Sequence, residues 1–227
     1  MISYIIALNN MELIIGGSVM LVVLIFSAIL HEVAHGVVAE RLGDPTARLM
    51  GRLTLDPRPH IDLYMTILMP LITFFSSGGG IILGGAKPVP VDPFNLREKR
   101  KDIAIVSLAG PLTNVLIAII FALICRFLFP SLSLDIIRNS SFVGFILGTI
   151  VYVNLLLAFF NLVPIPPLDG SKIFALILPE KEANIYLSLG SIGIFIIFFL
   201  LMFPIGGFSL GGLIFNLLSL AQRLLGI

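Results

Sequence analysis

The 227-residue chain is 58% hydrophobic and only 12% charged, with a net charge of +1. Soluble domains run at about 45–50% apolar and about 25% charged, so a water-soluble globule is excluded and an integral membrane protein is expected. The near-zero net charge does not point to nucleic acid, and the single cysteine, Cys125, excludes an internal disulfide and a thiolate zinc cluster.

Residues 1–10 are apolar but too short to cross a bilayer, and they read as an interfacial segment ending at Asn9-Asn10. No Lys or Arg precedes Arg41, so this end does not read as a cleaved signal. Residues 12–42 read as the first long helix, free of Pro and stopped by Gly43 and Asp44-Pro45. At 1.5 Å per residue it is about 45 Å long against a hydrocarbon core of ~30 Å, so its C-terminal third reaches an aqueous face. Near that end stands His31-Glu32-Val33-Ala34-His35. On a helix, residues four apart share a face. Two imidazoles so placed can bind one Zn²⁺, with Glu32 beside them as a general base. Ionisable groups are costly at the end of a membrane helix and mark function there. The alternative is a pair of interfacial histidines.

Residues 41–60 are polar and basic. Residues 61–83 are apolar but interrupted by Pro70 and by Ser76-Ser77-Gly78-Gly79-Gly80, which favours a re-entrant path over a span. Residues 84–91, GGAKPVPV, look extended. In a strand, N–H groups two residues apart point the same way, and Pro88 and Pro90 have none. One edge is therefore poor in donors, while the other offers Lys87, Val89 and Val91. That edge is a candidate for pairing through Val89 with an extended substrate or a neighbouring strand. A proline-rich membrane-exit loop is the alternative.

Residues 92–101 form a charged loop, 102–128 a second long helix, 130–140 a turn and 141–163 a third spanning helix closed by Pro164, Pro166 and Pro167. A short helix follows over 171–178, then a stretch over 184–203 apolar enough to span, a glycine-rich break, and a short helix over 213–225. The expected fold is an all-α polytopic membrane protein, with about five membrane helices plus a re-entrant or β segment near 61–91. It forms a single membrane domain with its core over about 11–180, and residues 184–227 add C-terminal membrane helices. With 61–83 re-entrant, every Lys and Arg except Arg126 and Arg138 falls on one side. The positive-inside rule makes that side cytoplasmic, with the N-terminus outside and the C-terminus cytoplasmic. The histidine pair and Asp169 then share one membrane face.

A catalytic zinc takes three protein ligands and keeps one position open. Beyond His31 and His35, the candidates are His60 and Asp169. His60 is the one other histidine, otherwise a loop residue. Asp169 is the better placed: a lone carboxylate after a membrane helix, in the turn Asn161-Leu162-Val163-Pro164-Ile165-Pro166-Pro167-Leu168-Asp169-Gly170. It could instead N-cap the next helix. Asn161 could donate to a substrate carbonyl or a developing oxyanion, or make a helix–helix hydrogen bond.

Three motifs in order, His31-Glu32-Val33-Ala34-His35, Ala109-Gly110-Pro111 with Asn114, and Asn161…Pro164…Leu168-Asp169-Gly170, resemble the site-2 protease family of intramembrane zinc metalloproteases over residues 25–172. The resemblance implies one zinc held by His31, His35 and Asp169, with Glu32 as general base and Asn161 stabilising substrate or transition state. It implies transmembrane protein substrates cut within the bilayer. The chain resembles the compact branch without PDZ or CBS modules, and residues 61–83 depart from its shortest members. Two other classes fit less well. A membrane zincin of the prenyl-processing or stress-protease type needs a distal Glu as third ligand, and Glu180 and Glu182 are the only acids after Asp169. A non-enzymatic metal-binding membrane protein has no use for Glu32 between two histidines.

Overall fold

The computed structural model describes residues 2–76, 84–130 and 132–227. Its first element, α1 (Ile2–Arg41), is one unbroken helix. Residues 1–10 were expected to form a separate segment, but the helix runs through Asn9-Asn10. An Asn costs well under ~1 kcal/mol in a helix and has neither the ring nor the missing N–H that makes proline a breaker. The expected stop does occur. Gly43 adopts φ +114°, a left-handed conformation open to glycine, and the Asp44 N–H turns back to Ala39 O at 2.9 Å.

Asp44, fully buried, ties the loop after residue 91 to the end of α1. Its carboxylate accepts the Asp92 N–H at 2.7 Å and the Asn95 amide at 3.0 Å. Burial pushes its carboxyl up, but these donors and those of Thr46 outweigh that and hold it below the usual range. A short helix α2 (Thr46–Leu49) and a 3₁₀ turn (Arg58–His60) follow. Then come one π turn (Leu63–Leu68) and α3 (Met69–Ser76). The first part of the expected re-entrant stretch is thus helical, and residues 77–83 lie outside the described residues.

Residues 84–92 form no helix or strand, and Pro88 and Pro90 favour an extended chain around Val89. Their polar groups are engaged one by one. Lys87 N–H donates to His60 O at 2.8 Å, Arg52 donates to the carbonyls of Lys87 and Pro88, and Val89 N–H reaches a side chain of α1. The expected β segment is therefore a pinned extended loop, and no named strand occurs among the described residues.

α4 (Lys99–Leu128) carries Gly110-Pro111 where it crosses α1. The expected turn over 130–140 is largely a helix, α5 (Leu134–Ser140), capped by the Ser133 hydroxyl. α6 (Phe142–Asn161) is capped in the same way by Ser141 and ends ahead of Pro164. α7 (Asp169–Phe174) starts two residues earlier than expected. The expected span over 184–203 is two helices, α8 (Glu180–Ser188) and α9 (Gly190–Met202), bent by 71°. Last comes α10 (Leu210–Leu225).

Among the described residues, three helices are long and apolar enough to cross a membrane: residues 14–41 of α1, α4 and α6. The bent pair α8–α9 makes a fourth if it acts as one span. At 16 residues α10 reaches about 24 Å, short of the ~30 Å core. Hence the expected five spans are not reached by length among the described residues. α1, α4 and α6 pack against one another. Ala118 and Ala122 of α4 are fully buried against Val151 and Leu155 of α6, the small residues allowing close approach. Outward faces carry exposed Leu112, Leu116, Leu123 and Phe127, which suit lipid and not water.

Candidate metal centre

One turn of α1 places His31 and His35 on the same face, both buried, with ring centroids 4.6 Å apart. α4 supplies the partner of each Nδ1. His35 Nδ1 lies 2.6 Å from the Val106 carbonyl, and His31 Nδ1 lies 2.6 Å from Asn114 Oδ1. A carbonyl oxygen can only accept, so each Nδ1 carries its hydrogen and each neutral ring turns an Nε2 lone pair inward.

The turn after α6 brings in the third donor. Its prolines end the helix, and Gly170 lies so close to the Leu162 carbonyl that a Cβ would not fit. Asp169 Oδ2 then stands 3.1 Å from His31 Nε2 and 3.2 Å from His35 Nε2, and the two Nε2 atoms are 3.0 Å apart. Three lone-pair donors facing one point repel each other unless a cation sits between them. Ligands about 2.0–2.1 Å from a tetrahedral zinc are ~3.3 Å apart, so this triangle fits zinc. Gly110 on α4 completes the cradle. A Cβ there would lie 2.5 Å from His31 Nε2 and 2.6 Å from His35 Nε2, inside the space a metal needs.

The Lys172 ammonium beside Asp169 favours its anionic form. The other carboxylate oxygen, Oδ1, takes that ammonium at 3.3 Å, which leaves Oδ2 as the inward donor.

Glu32 is half-buried at the edge of this cluster, and its Oε2 accepts the Val89 N–H at 2.8 Å. His31, Glu32, His35, Val89, Asn161 and Asp169 all line one groove of about 610 Å³. Asn161 closes α6 and spends one amide hydrogen on Leu157 O at 2.9 Å. His60 stands apart, buried, with Nε2 2.9 Å from Thr54 O. Among the described residues, the group able to hold a metal is His31, His35 and Asp169. Glu180 and Glu182 stand exposed in the first turn of α8.

Two site residues escaped the sequence reading. Asn154 of α6 and Ser27 of α1 are buried and extend a polar chain behind His31. Asn114 Nδ2 donates to Asn154 Oδ1 at 2.8 Å, and Asn154 Nδ2 donates to Ser27 Oγ at 2.9 Å. Polar residues inside membrane-length apolar helices are the signal that could have found them.

The model of peptidase family M50 matches residues 19–142 and 131–204, more than half of the chain and all three donors. The chain belongs to peptidase family M50. Similar relatives agree. YwhC of Bacillus subtilis, named as a candidate zinc metalloprotease, is 33% identical over 194 residues, covering 84% of this chain and 83% of YwhC. Rip2 of Mycobacterium tuberculosis, named likewise, is 35% identical over 144 residues, 63% of this chain but 51% of Rip2. The zinc metalloprotease MJ0392 of Methanocaldococcus jannaschii is 28% identical over 178 residues, 78% of this chain and 39% of that protein. No solved structure matches the chain significantly. Membership of M50, the site-2 protease family, makes the chain a zinc metalloprotease, and its apolar helices make it a membrane protein.

Proposed function

We propose that this M50 protein cuts transmembrane protein segments within the bilayer, with His31, His35 and Asp169 as zinc ligands and Glu32 as general base. The observation that carries this reading is the convergence of three donors, 3.0–3.2 Å apart, at one end of a membrane-length helix. Bound there, zinc supplies a Lewis acid for the scissile carbonyl and for an attacking water. Glu32 takes one proton from that water as its oxygen adds to the carbonyl carbon. It then passes the proton to the departing nitrogen as the C–N bond breaks, leaving a carboxylate and an amine. Asn161 has an amide hydrogen to offer the developing oxyanion.

Val89 presents substrate. Its N–H rests on Glu32 when no substrate is present, and a carbonyl of an extended chain takes its place when Glu32 turns to water. The chain works as a single membrane unit with its core over about 11–180 and its C-terminal helices added over 184–227. The basic loops over 41–60 and 92–101 and the metal centre share the cytoplasmic face.

The test is cleavage of a model membrane-spanning substrate in proteoliposomes. Wild type cuts inside the apolar segment. Glu32→Gln keeps its zinc and loses at least ~100-fold in rate, the scale of general acid–base catalysis. Cleavage confined to sequence outside the bilayer, or full activity in Glu32→Gln, overturns the reading.

A further inference from the structure

The polar chain behind His31 has a direction, and its far end sets it. Asn154 Nδ2 lies 2.9 Å from the Ile150 backbone carbonyl, one turn earlier on α6. That carbonyl belongs to the helix and can only accept. The end of the Asn154 amide beside it must therefore be the NH₂, which leaves Oδ1 facing Asn114. Asn114 answers with its own NH₂, also within 3.5 Å of the Ser27 carbonyl, and so turns Oδ1 toward His31. An oxygen there requires hydrogen on His31 Nδ1 and a lone pair on Nε2. If Asn114 turned over, its NH₂ would face Nδ1 and favour the other tautomer, with hydrogen on the nitrogen that faces Asp169 and His35. Asn114 and Asn154 are both fully buried, so water is not there to repair a wrong orientation.

We infer that Asn154 is a positioning residue for the metal: through Asn114 it locks the His31 tautomer that can ligate zinc. It touches neither metal nor substrate. The inference rests on His31 being a ligand, as proposed above.

The experiment is zinc dissociation from the purified full-length chain into excess chelator. Asn154→Leu keeps the branched four-atom shape but removes the acceptor, and zinc leaves ~10–100-fold faster, the range for groups that orient a ligand from behind. Asn154→Ala does the same and serves if the Leu variant does not fold. Asn154→Asp, neutral when buried, still accepts from Asn114 and donates to Ile150, and stays within about threefold of wild type. Adding Asn114→Asp to Asn154→Leu restores slow release: facing the Nδ1–H of a zinc-bound His31, this carboxyl is ionised, unlike one at 154, and has no donor end to turn toward the ring. A packing role gives the opposite order, with the buried Asp worse than Leu and no rescue. That order, or wild-type release from Asn154→Leu, overturns the inference. His31→Ala is the control: if it still holds one zinc per chain, the ligand assignment has failed and not the role of Asn154.

Discussion

The Val89 N–H donates to Glu32 Oε2 at 2.8 Å, joining an extended loop to the helix that carries the histidines across 57 residues of chain. The loop is held on either side by Lys87 N–H on His60 O and Asp92 N–H on Asp44. Val89 thus sits at a fixed distance from Glu32, and in the proposed mechanism one donor serves Glu32 at rest and a substrate carbonyl during cleavage.

Val89→Pro removes that donor from a loop already extended between two prolines. Cleavage of a membrane-spanning substrate should fall about 2–10-fold, the worth of a hydrogen bond of roughly 0.5–1.5 kcal/mol. Zinc content should be unchanged. Val89→Ala keeps the N–H and should stay close to wild type. Measuring kcat/KM beside zinc content separates the cases. If Val89→Pro is faster, the contact only restrains Glu32 and presents nothing.

Gly110→Ala should empty the metal centre while the helices still form. Alanine is better than glycine inside a helix by roughly 0.5–1 kcal/mol, yet its Cβ would stand 2.5–2.6 Å from both histidine Nε2 atoms. Mass spectrometry of the native protein should find no zinc, while circular dichroism keeps the wild-type helix content. A Gly110→Ala chain holding one zinc would mean that the metal lies elsewhere.

The donors of the metal centre were legible because each leaves a local mark. His31 and His35 share a helix face by their spacing of four, and Asp169 is an isolated carboxylate behind a helix stopped by prolines. The groups behind them leave none. Asn154 is one amide in an apolar helix, and its meaning depends on a carbonyl of its own helix and on an amide 40 residues away. The Val89 N–H was legible as a donor between two prolines, but the expected strand edge did not form and its bond to Glu32 was not foreseen, because loop-to-helix contacts have no sequence period. Helix ends at Gly43 and Pro164 could be read from backbone chemistry. The break between α8 and α9 could not: no proline marks it, and the nearby contact of Gly193 with the Pro166 carbonyl, where a Cβ would not fit, joins segments distant in sequence.

The path of residues 61–83 is testable by labelling. In a Cys125→Ser background, cysteines replacing the exposed Arg48 and Lys99 should react with an impermeant reagent from the same side of sealed vesicles. Labelling from opposite sides would mean that 61–83 crosses the membrane.

The central claim is that His31, His35 and Asp169 together hold the catalytic zinc. Zinc stoichiometry of the purified full-length chain tests it most directly. Wild type and Glu32→Gln should carry one zinc per chain. Asp169→Ala removes an anionic donor from a site with three protein ligands, and it should carry essentially none. Undiminished zinc in Asp169→Ala would contradict the account.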